Sequence, residues 1–123
     1  MESIAFQTRG VVEEMSRELG RRVRVLRVDG GAAESDFLLQ VVVDITGMRV
    51  ERPEFVETTA RGAAFLAGIY TGVWRMGDLS SLVGERKTFR PRSTARVRDA
   101  LYNRWKEAVK RSRGWVRDVS RPR

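Results

Sequence analysis

Residues Val23 to Gln40, VRVLRVDGGAAESDFLLQ, constrain this chain more than any other stretch: an apolar, β-branched run stops at an acid and two glycines, and a helical pattern begins. Val23, Val25, Leu26 and Val28 make a run long enough for a strand and too short for a globular helix. Asp29-Gly30-Gly31 breaks it. Phe37, Leu38, Val41, Val42 and Ile45 follow at spacings of three and four. The strand is therefore expected to feed directly into the N-terminus of an amphipathic helix, whose unpaired N–H groups favour an anionic ligand. Val50 to Arg52, starting as early as Met48, reads as the next strand. Residues 23 to 52 thus have the length of one βαβ unit, with a right-handed crossover and its ligand edge at the Gly-Gly turn. Such a turn holds a phosphate or a nucleotide, although two glycines after a strand are equally the simplest way to turn a chain toward a helix. DGGAAESD has neither the GxGxxG spacing of a dinucleotide site nor a GK[ST] to place a lysine and a magnesium-binding hydroxyl, so NAD and P-loop sites are not supported.

At 123 residues the chain is one domain or part of one, with enough length for a modest core. It contains no cysteine and no histidine, which removes disulfides, a thiol nucleophile, an imidazole base and the usual zinc ligands. Catalysis would have to rest on carboxylates, hydroxyls or bound magnesium. Met1-Glu2 begins no signal peptide. The longest apolar stretch, Gly62 to Trp74, is interrupted by glycines and flanked by Arg61 and Arg75, well short of the about 20 residues a membrane span needs. A soluble, cytoplasmic protein without membrane partners is expected.

The formal charge of +8 is unevenly spread: residues 1–83 hold 10 basic and 12 acidic side chains, and residues 84–123 hold 14 and 4, a local excess of +10. Basic residues interleaved with Phe89, Tyr102, Trp105 and Trp115 would suit nucleic-acid binding by phosphate neutralisation and base stacking. Helical spacing favours a plainer account. Val97, Leu101, Trp105, Ala108 or Val109, and Ser112 would form a buried face, leaving Arg96, Arg98, Arg104, Lys106, Lys110 and Arg113 mostly solvated. Nucleic acid is therefore a disfavoured partner.

Ile4, Val11, Val12, Met15 and Leu19 mark a helix from about Glu2 to Leu19, either cut off partway at its start or capped by Ser3. Thr58 or Thr59 can cap another, running to about Gly72, in which Ala60, Gly62, Ala63, Ala64, Ala67 and Gly68 leave one side almost bare. That side is expected in the core, backing a nucleotide pocket or packing on a sheet. Gly77 to Val83 reads as a short helix or turn, Arg86 to Phe89 as an extended piece ended by Pro91, and Thr94 to about Arg113 as the last helix. Residues after Trp115 read as a frayed basic tail.

Four blocks in this order, ESIAFQTRGVVEEM, LRVDGGAAESDFLLQ, MRVERPEFVETTARGAAFLAG, and FRP followed by LYNRWKEAVKRSRGW, resemble the C-terminal end of glycerol kinases, in the FGGY family of sugar and polyol kinases. The resemblance runs from Glu2 to about Trp115, giving a partial FGGY C-terminal domain over 1–115 and a tail over 116–123. It implies an α/β fold, the C-terminal part of an actin-like, ribonuclease-H-like ATPase lobe: helix, strand, helix, strand, helix and a C-terminal helix. In the family the second glycine of the DGG turn and an asparagine four residues later contact the nucleotide. These fall on Gly31 and Ser35, with Gly30 and Ala32 beside them. Ser35 departs from the usual asparagine and offers fewer hydrogen-bonding groups. Asp29 is expected to satisfy its own loop's N–H groups.

The family's reaction, ATP and glycerol to ADP and glycerol 3-phosphate, also needs a polyol pocket, a catalytic aspartate and phosphate loops. The resemblance places all of them upstream. ATP is thus the implied co-substrate and Mg²⁺ is implied with no ligand in this chain. Glycerol is reached only through the missing lobe, and self-association belongs to the full-length enzyme. No residue here is assigned as catalytic. Holding only the adenosine end, the chain is expected to bind weakly and catalyse nothing, as a fragment, the product of a broken reading frame or one piece of a split enzyme. The alternative is a non-catalytic module whose basic C-terminal surface binds an acidic partner or nucleic acid. With only two confident strands, the isolated chain is expected to be helical, loosely packed and prone to associate.

Overall fold

The computed structural model describes residues 1–54, 58–79 and 84–114. Their elements are α1 (Glu2–Glu18), β1 (Val25–Arg27), α2 (Asp36–Thr46), β2 (Arg49–Pro53), α3 (Thr58–Tyr70), β3 (Arg86–Phe89) and α4 (Ala95–Ser112), with 3-10 turns at Gly31–Glu34 and Met76–Asp78. The expected α/β order is present. β1 and β2 are parallel, with Leu26 beside Val50, and β3 pairs antiparallel on the other side of β2, with Val50 beside Phe89. Strand alternation sends Leu26, Val50 and Phe89 into the core with Leu39, Val42, Val43 and Ile45 of α2, and leaves Arg27, Glu51 and Arg86 on the opposite face. The extended piece at 86–89 is therefore a paired strand.

β1 is shorter than the apolar run around it. The Val23 amide donates to the Ser16 hydroxyl at 3.0 Å instead of joining the sheet. Val28, just past the strand, still donates to the Glu51 carbonyl at 3.1 Å. The ends of α2 follow from its sequence. Ser35 Oγ accepts from the Leu38 amide at 3.2 Å, and Gly47, at φ 71°, takes the left-handed C-terminal position that a side chain would resist.

Two helical faces lie one residue round from where spacing alone put them. In α1, Ala5, Phe6 and Val12 are buried, whereas Ile4, Val11, Met15 and neighbouring Leu19 are exposed, Val11 by 60%. Met1 occupies the N-cap position without a side-chain bond, so Ser3 is not the cap. In α4 the packed residues are Arg98, Tyr102 and Trp105, while Val97 and Leu101 are exposed. The cause is aromatic: Phe6 stacks on Tyr102 and Trp105 with ring centres 6.4 and 5.6 Å away, and rings of this area outweigh the smaller aliphatics.

Arg9 locks this arrangement. Its side chain is only 13% exposed and contacts three helices. Nε donates to Glu13 at 2.7 Å, Nη1 to the carbonyls of Ile45 and Arg98 at 3.2 Å, and Nη2 to Asp99 at 2.6 Å. The guanidinium also lies 4.3 Å from the centre of the Tyr102 ring. Burial opposes the charge, but the bonds to Glu13 and Asp99 outweigh it and raise the guanidinium pKa. The bond from Arg9 in turn holds the Asp99 carboxyl below the usual carboxylate range.

α3 departs most from expectation. Among its described residues only Gly68 is buried, and Ala60, Ala63, Ala64 and Ala67 are exposed rather than in the core. The close approach that needs a glycine is made by Trp74, whose ring would lie 2.2 Å from a Cβ on Gly68. That ring donates from Nε1 to the Phe65 carbonyl at 2.9 Å and meets the Phe65 ring edge-on. Gly68 thus closes a local hairpin, and the alanines of α3 stay uncovered. The expected turn over Gly77–Val83 is described only in part, at Met76–Asp78, and the tail over 116–123 lies outside the described residues.

Candidate nucleotide-binding turn

Beyond β1 the chain does not enter α2 directly. Gly30, at φ 79° and ψ 172°, swings it into the 3-10 turn Gly31–Glu34, and Ser35 then starts the helix. This φ is one that a side chain resists, which accounts for a glycine at this position. Gly31 has no such constraint, and a Cβ built on it would meet nothing within 4 Å. Gly30, Gly31 and Ala32 are exposed together at the carboxyl end of β1, while Ala33 is buried and anchors the turn. The four expected nucleotide contacts, Gly30, Gly31, Ala32 and Ser35, therefore share one short turn with three open backbone positions. Ser35 has a second task, because its oxygen already caps α2.

The turn is held from β2 and β3 by residues whose role spacing did not reveal. Arg52 Nη1 donates to the carbonyls of Ala33 at 2.7 Å and Glu34 at 2.9 Å, and pairs with Asp36 at 2.9 Å. Lys87 stands directly across the sheet from Arg52 and also bonds Asp36. One carboxylate thus separates two like charges. The hydrogen bond from Lys87, and then the charges of Lys87 and Arg52, hold the Asp36 carboxyl below the usual range. The period of two from Val50 to Arg52 was the available signal, since it puts both residues on the face that meets the turn. Asp29 does not serve its own loop as expected: it accepts a hydrogen bond from the Thr58 hydroxyl and ties the end of β1 to the first turn of α3.

On the other face of the sheet, Glu51 is only 14% exposed and lies among three arginines, 3.0 Å from Arg49, 3.5 Å from Arg27 and 4.0 Å from Arg86. Beside it a cavity of about 300 Å³ opens between the ends of β1 and β2 and the first turns of α3, with Arg27, Asp29, Thr58, Arg61 and Phe65 in its wall. The cavity meets the turn at Asp29 and does not include Gly30, Gly31, Ala32 or Ser35.

Among the described residues no group of three carboxylates could hold a metal ion, and no magnesium ligand is assigned. None of the described helices is long and apolar enough to cross a membrane. Among the described residues the rings beside the C-terminal cations are engaged in the fold: Phe89 and Tyr102 are buried, with Lys87 and Lys106 over them, and Trp105 is half-buried in the Phe6 stack. Trp115 lies outside the described residues.

Residues 1–70 match the C-terminal domain of the FGGY family of carbohydrate kinases. The chain is 50% identical over 116 residues to glycerol kinase 2 of Pseudomonas aeruginosa and 50% identical over 119 residues to the glycerol kinase of Pseudothermotoga lettingae. In both comparisons 94% of this chain aligns with 23% of the relative, so it spans under a quarter of their length. The crystal structure of Plasmodium falciparum glycerol kinase with ADP superposes with a TM-score of 0.76 at 30% identity, covering 91% of this chain and 23% of that one. The helix-strand order, the parallel pair and these matches agree on the C-terminal part of the actin-like lobe. The chain belongs to the FGGY family of carbohydrate kinases, of which it carries the C-terminal portion.

Proposed function

We propose that this chain is the nucleotide-binding C-terminal portion of a glycerol kinase, contributing to transfer of the γ-phosphate of ATP to glycerol, and that it is inactive by itself. The observation that carries this proposal is 50% identity to a glycerol kinase along 94% of the chain. The open backbone at Gly30, Gly31 and Ala32 is consistent with it, because a nucleotide can lie against a turn with no side chains in the way. Gly31 gives the ligand its closest approach, Gly30 sets the turn, and Ser35 fixes the start of α2 while its hydroxyl hydrogen remains able to donate. ATP is the co-substrate in this proposal. Magnesium would be held by the nucleotide and the rest of the enzyme, and the cytoplasm is the proposed compartment.

Phosphoryl transfer depends on positioning and charge neutralisation around the γ-phosphate, and nothing here is assigned as the base or as the clamp on that group. The test uses a rebuilt enzyme, P. aeruginosa glycerol kinase 2 with this chain in place of its matching C-terminal part. Isothermal titration with ATP should show binding that Gly31→Val abolishes or weakens at least tenfold. Unchanged affinity in that variant would remove the turn from the site. A basic binding module is the second candidate, and it gains ground only if the chain binds acidic polymers while the rebuilt enzyme fails to bind ATP.

A further inference from the structure

We infer that the outer edge of β3 docks an extended acidic segment of a partner protein, which joins the sheet as a strand. The inference does not depend on the proposed nucleotide site. β3 is hydrogen-bonded on one side only, to β2. Two bonds fix which of its groups face outward. The Glu54 amide donates to the Glu85 carbonyl at 3.1 Å, so the pair just before the strand is a bonded one, and bonded pairs alternate with unbonded ones along an antiparallel ladder. The Glu51 carbonyl accepts from Val28 on the β1 side, so Glu51 and its neighbour Thr88 are an unbonded pair. The N–H and C=O of Arg86 and Thr88 therefore point away from β2. Among the described residues none of these four groups has a hydrogen-bond partner, and Arg86, Lys87 and Thr88 are all exposed.

Charge selects the occupant. Two carboxylates beside the strand serve five cations: Glu51 is shared by Arg27, Arg49 and Arg86, the last of these at 4.0 Å, and Asp36 by Arg52 and Lys87. Arg90 follows, exposed, and the acids Glu54 and Glu85 stand at the other end of the strand, before Arg86. The edge from Arg86 to Arg90 thus carries positive charge in excess of the described acids around it. Cations on an edge deter strands in general, yet opposite charges across two strands stabilise their pairing, so such an edge admits an acidic segment and rejects others. A second copy is among the rejected. Self-pairing about a two-fold axis is antiparallel and must match outward groups with outward groups, which allows three registers: they set Arg86 against Arg86, Lys87 against Lys87, or Arg86 against Arg90 of the other copy. Each places like charges directly opposite.

The test uses this full chain, by itself and within the rebuilt enzyme, and a fluorescein-labelled peptide of alternating glutamate and valine, with a lysine and valine peptide as control. Fluorescence anisotropy should show saturable binding of the acidic peptide only, weakening as salt is raised. Hydrogen–deuterium exchange should slow at least tenfold at the Arg86 and Thr88 amides when the peptide is bound, because an added strand covers them. That readout needs no variant. Thr88→Pro deletes one outward donor and spares the ladder to β2, and Arg86→Gln with Arg90→Gln removes charge and leaves the backbone intact. Each should weaken binding at least tenfold with an unchanged far-UV circular dichroism spectrum. Absence of binding in either form of the protein, or equal binding of the lysine peptide, would overturn the inference. So would binding that survives either variant, unchanged exchange at the two amides, as for a polyanion held by charge alone, or a dimer of the chain that Thr88→Pro disrupts. A rebuilt enzyme that binds the peptide but not ATP would instead refute the proposed function and leave the docking edge standing.

Discussion

Arg52→Met isolates the strap that holds the Gly31–Glu34 turn. Methionine keeps an apolar stem near the Phe89 ring but loses both donors to the Ala33 and Glu34 carbonyls. A hydrogen bond from a charged group contributes about 1.5 to 3 kcal/mol when shielded from water. Arg52 is 15% exposed, so the 2.7 Å bond to Ala33 takes the low end of that range, and the bond to exposed Glu34 adds less than half as much. The ion pair to exposed Asp36 is left out because water screens it. The sum is about 2 kcal/mol of local stability, or roughly a 30-fold rise in the open population of the turn. Hydrogen–deuterium exchange of the rebuilt enzyme by mass spectrometry reads this directly. The Ala33 amide, which donates to the Gly30 carbonyl at 2.9 Å, should exchange roughly 30 times faster in the variant, while the Gly47 amide at the far end of α2 keeps its rate. An unchanged rate at Ala33 would show that Arg52 does not hold the turn, and equal acceleration at Gly47 would show that the loss is global.

At the glycines, Gly30→Val should destabilise the turn by about 1 to 2 kcal/mol through its left-handed φ of 79°, whereas Gly31→Val should leave the melting temperature of the rebuilt enzyme unchanged and strike only ATP affinity. Ser35→Asn should hold or improve that affinity, since asparagine caps a helix equally well, and Ser35→Ala should cost about 1 kcal/mol in the same melts. In acid, Asp36 and Asp99 both carry lowered folded-state values, so their stabilisation is complete above the unfolded carboxylate value of about 3.9 and is lost as pH falls through the folded values. Far-UV circular dichroism should stay flat from pH 7 to 5 and fall below about pH 4, with a smaller acid-dependent loss in Asp36→Asn. The chain alone should show no glycerol-dependent ATP consumption in a coupled assay, and turnover that survives repurification and vanishes in Gly31→Val would contradict this.

The features written in local chemistry were legible. The parallel pair and the turn after Asp29 each follow from residue types that permit few alternatives, whereas α2 was expected to follow the strand directly and its caps, Ser35 and Gly47, were not part of that expectation. What escaped depends on partners distant in sequence. Spacing shows that α1 and α4 each have an apolar stripe, but which stripe turns inward was decided by Phe6, Tyr102 and Trp105 meeting across the fold. The bare side of α3 reads as core because small residues usually mean close packing, but the one close approach among them is that of Gly68 to Trp74 a few residues on. At the turn, a glycine was visible as a conformational necessity, and Gly30 meets it, while Arg52 and Thr58 were not visible, since a strand arginine and a helix-start threonine have commoner uses than strapping a loop.

The Arg9 lock also fixes when this fold can close. Asp99 lies 90 positions after Arg9, so the contact joins opposite ends of the chain and carries the entropy of a very long loop. During synthesis the N-terminal half leaves the ribosome with Phe6 exposed and with Arg9 lacking its α4 partners, and neither is satisfied until α4 has emerged. Assembly of α1 onto α4 is consequently a late event, governed by topology more than by the strength of any one contact. A ribosome that stalls before Asp99 would release a chain whose βαβ unit can form but whose first helix has no lock.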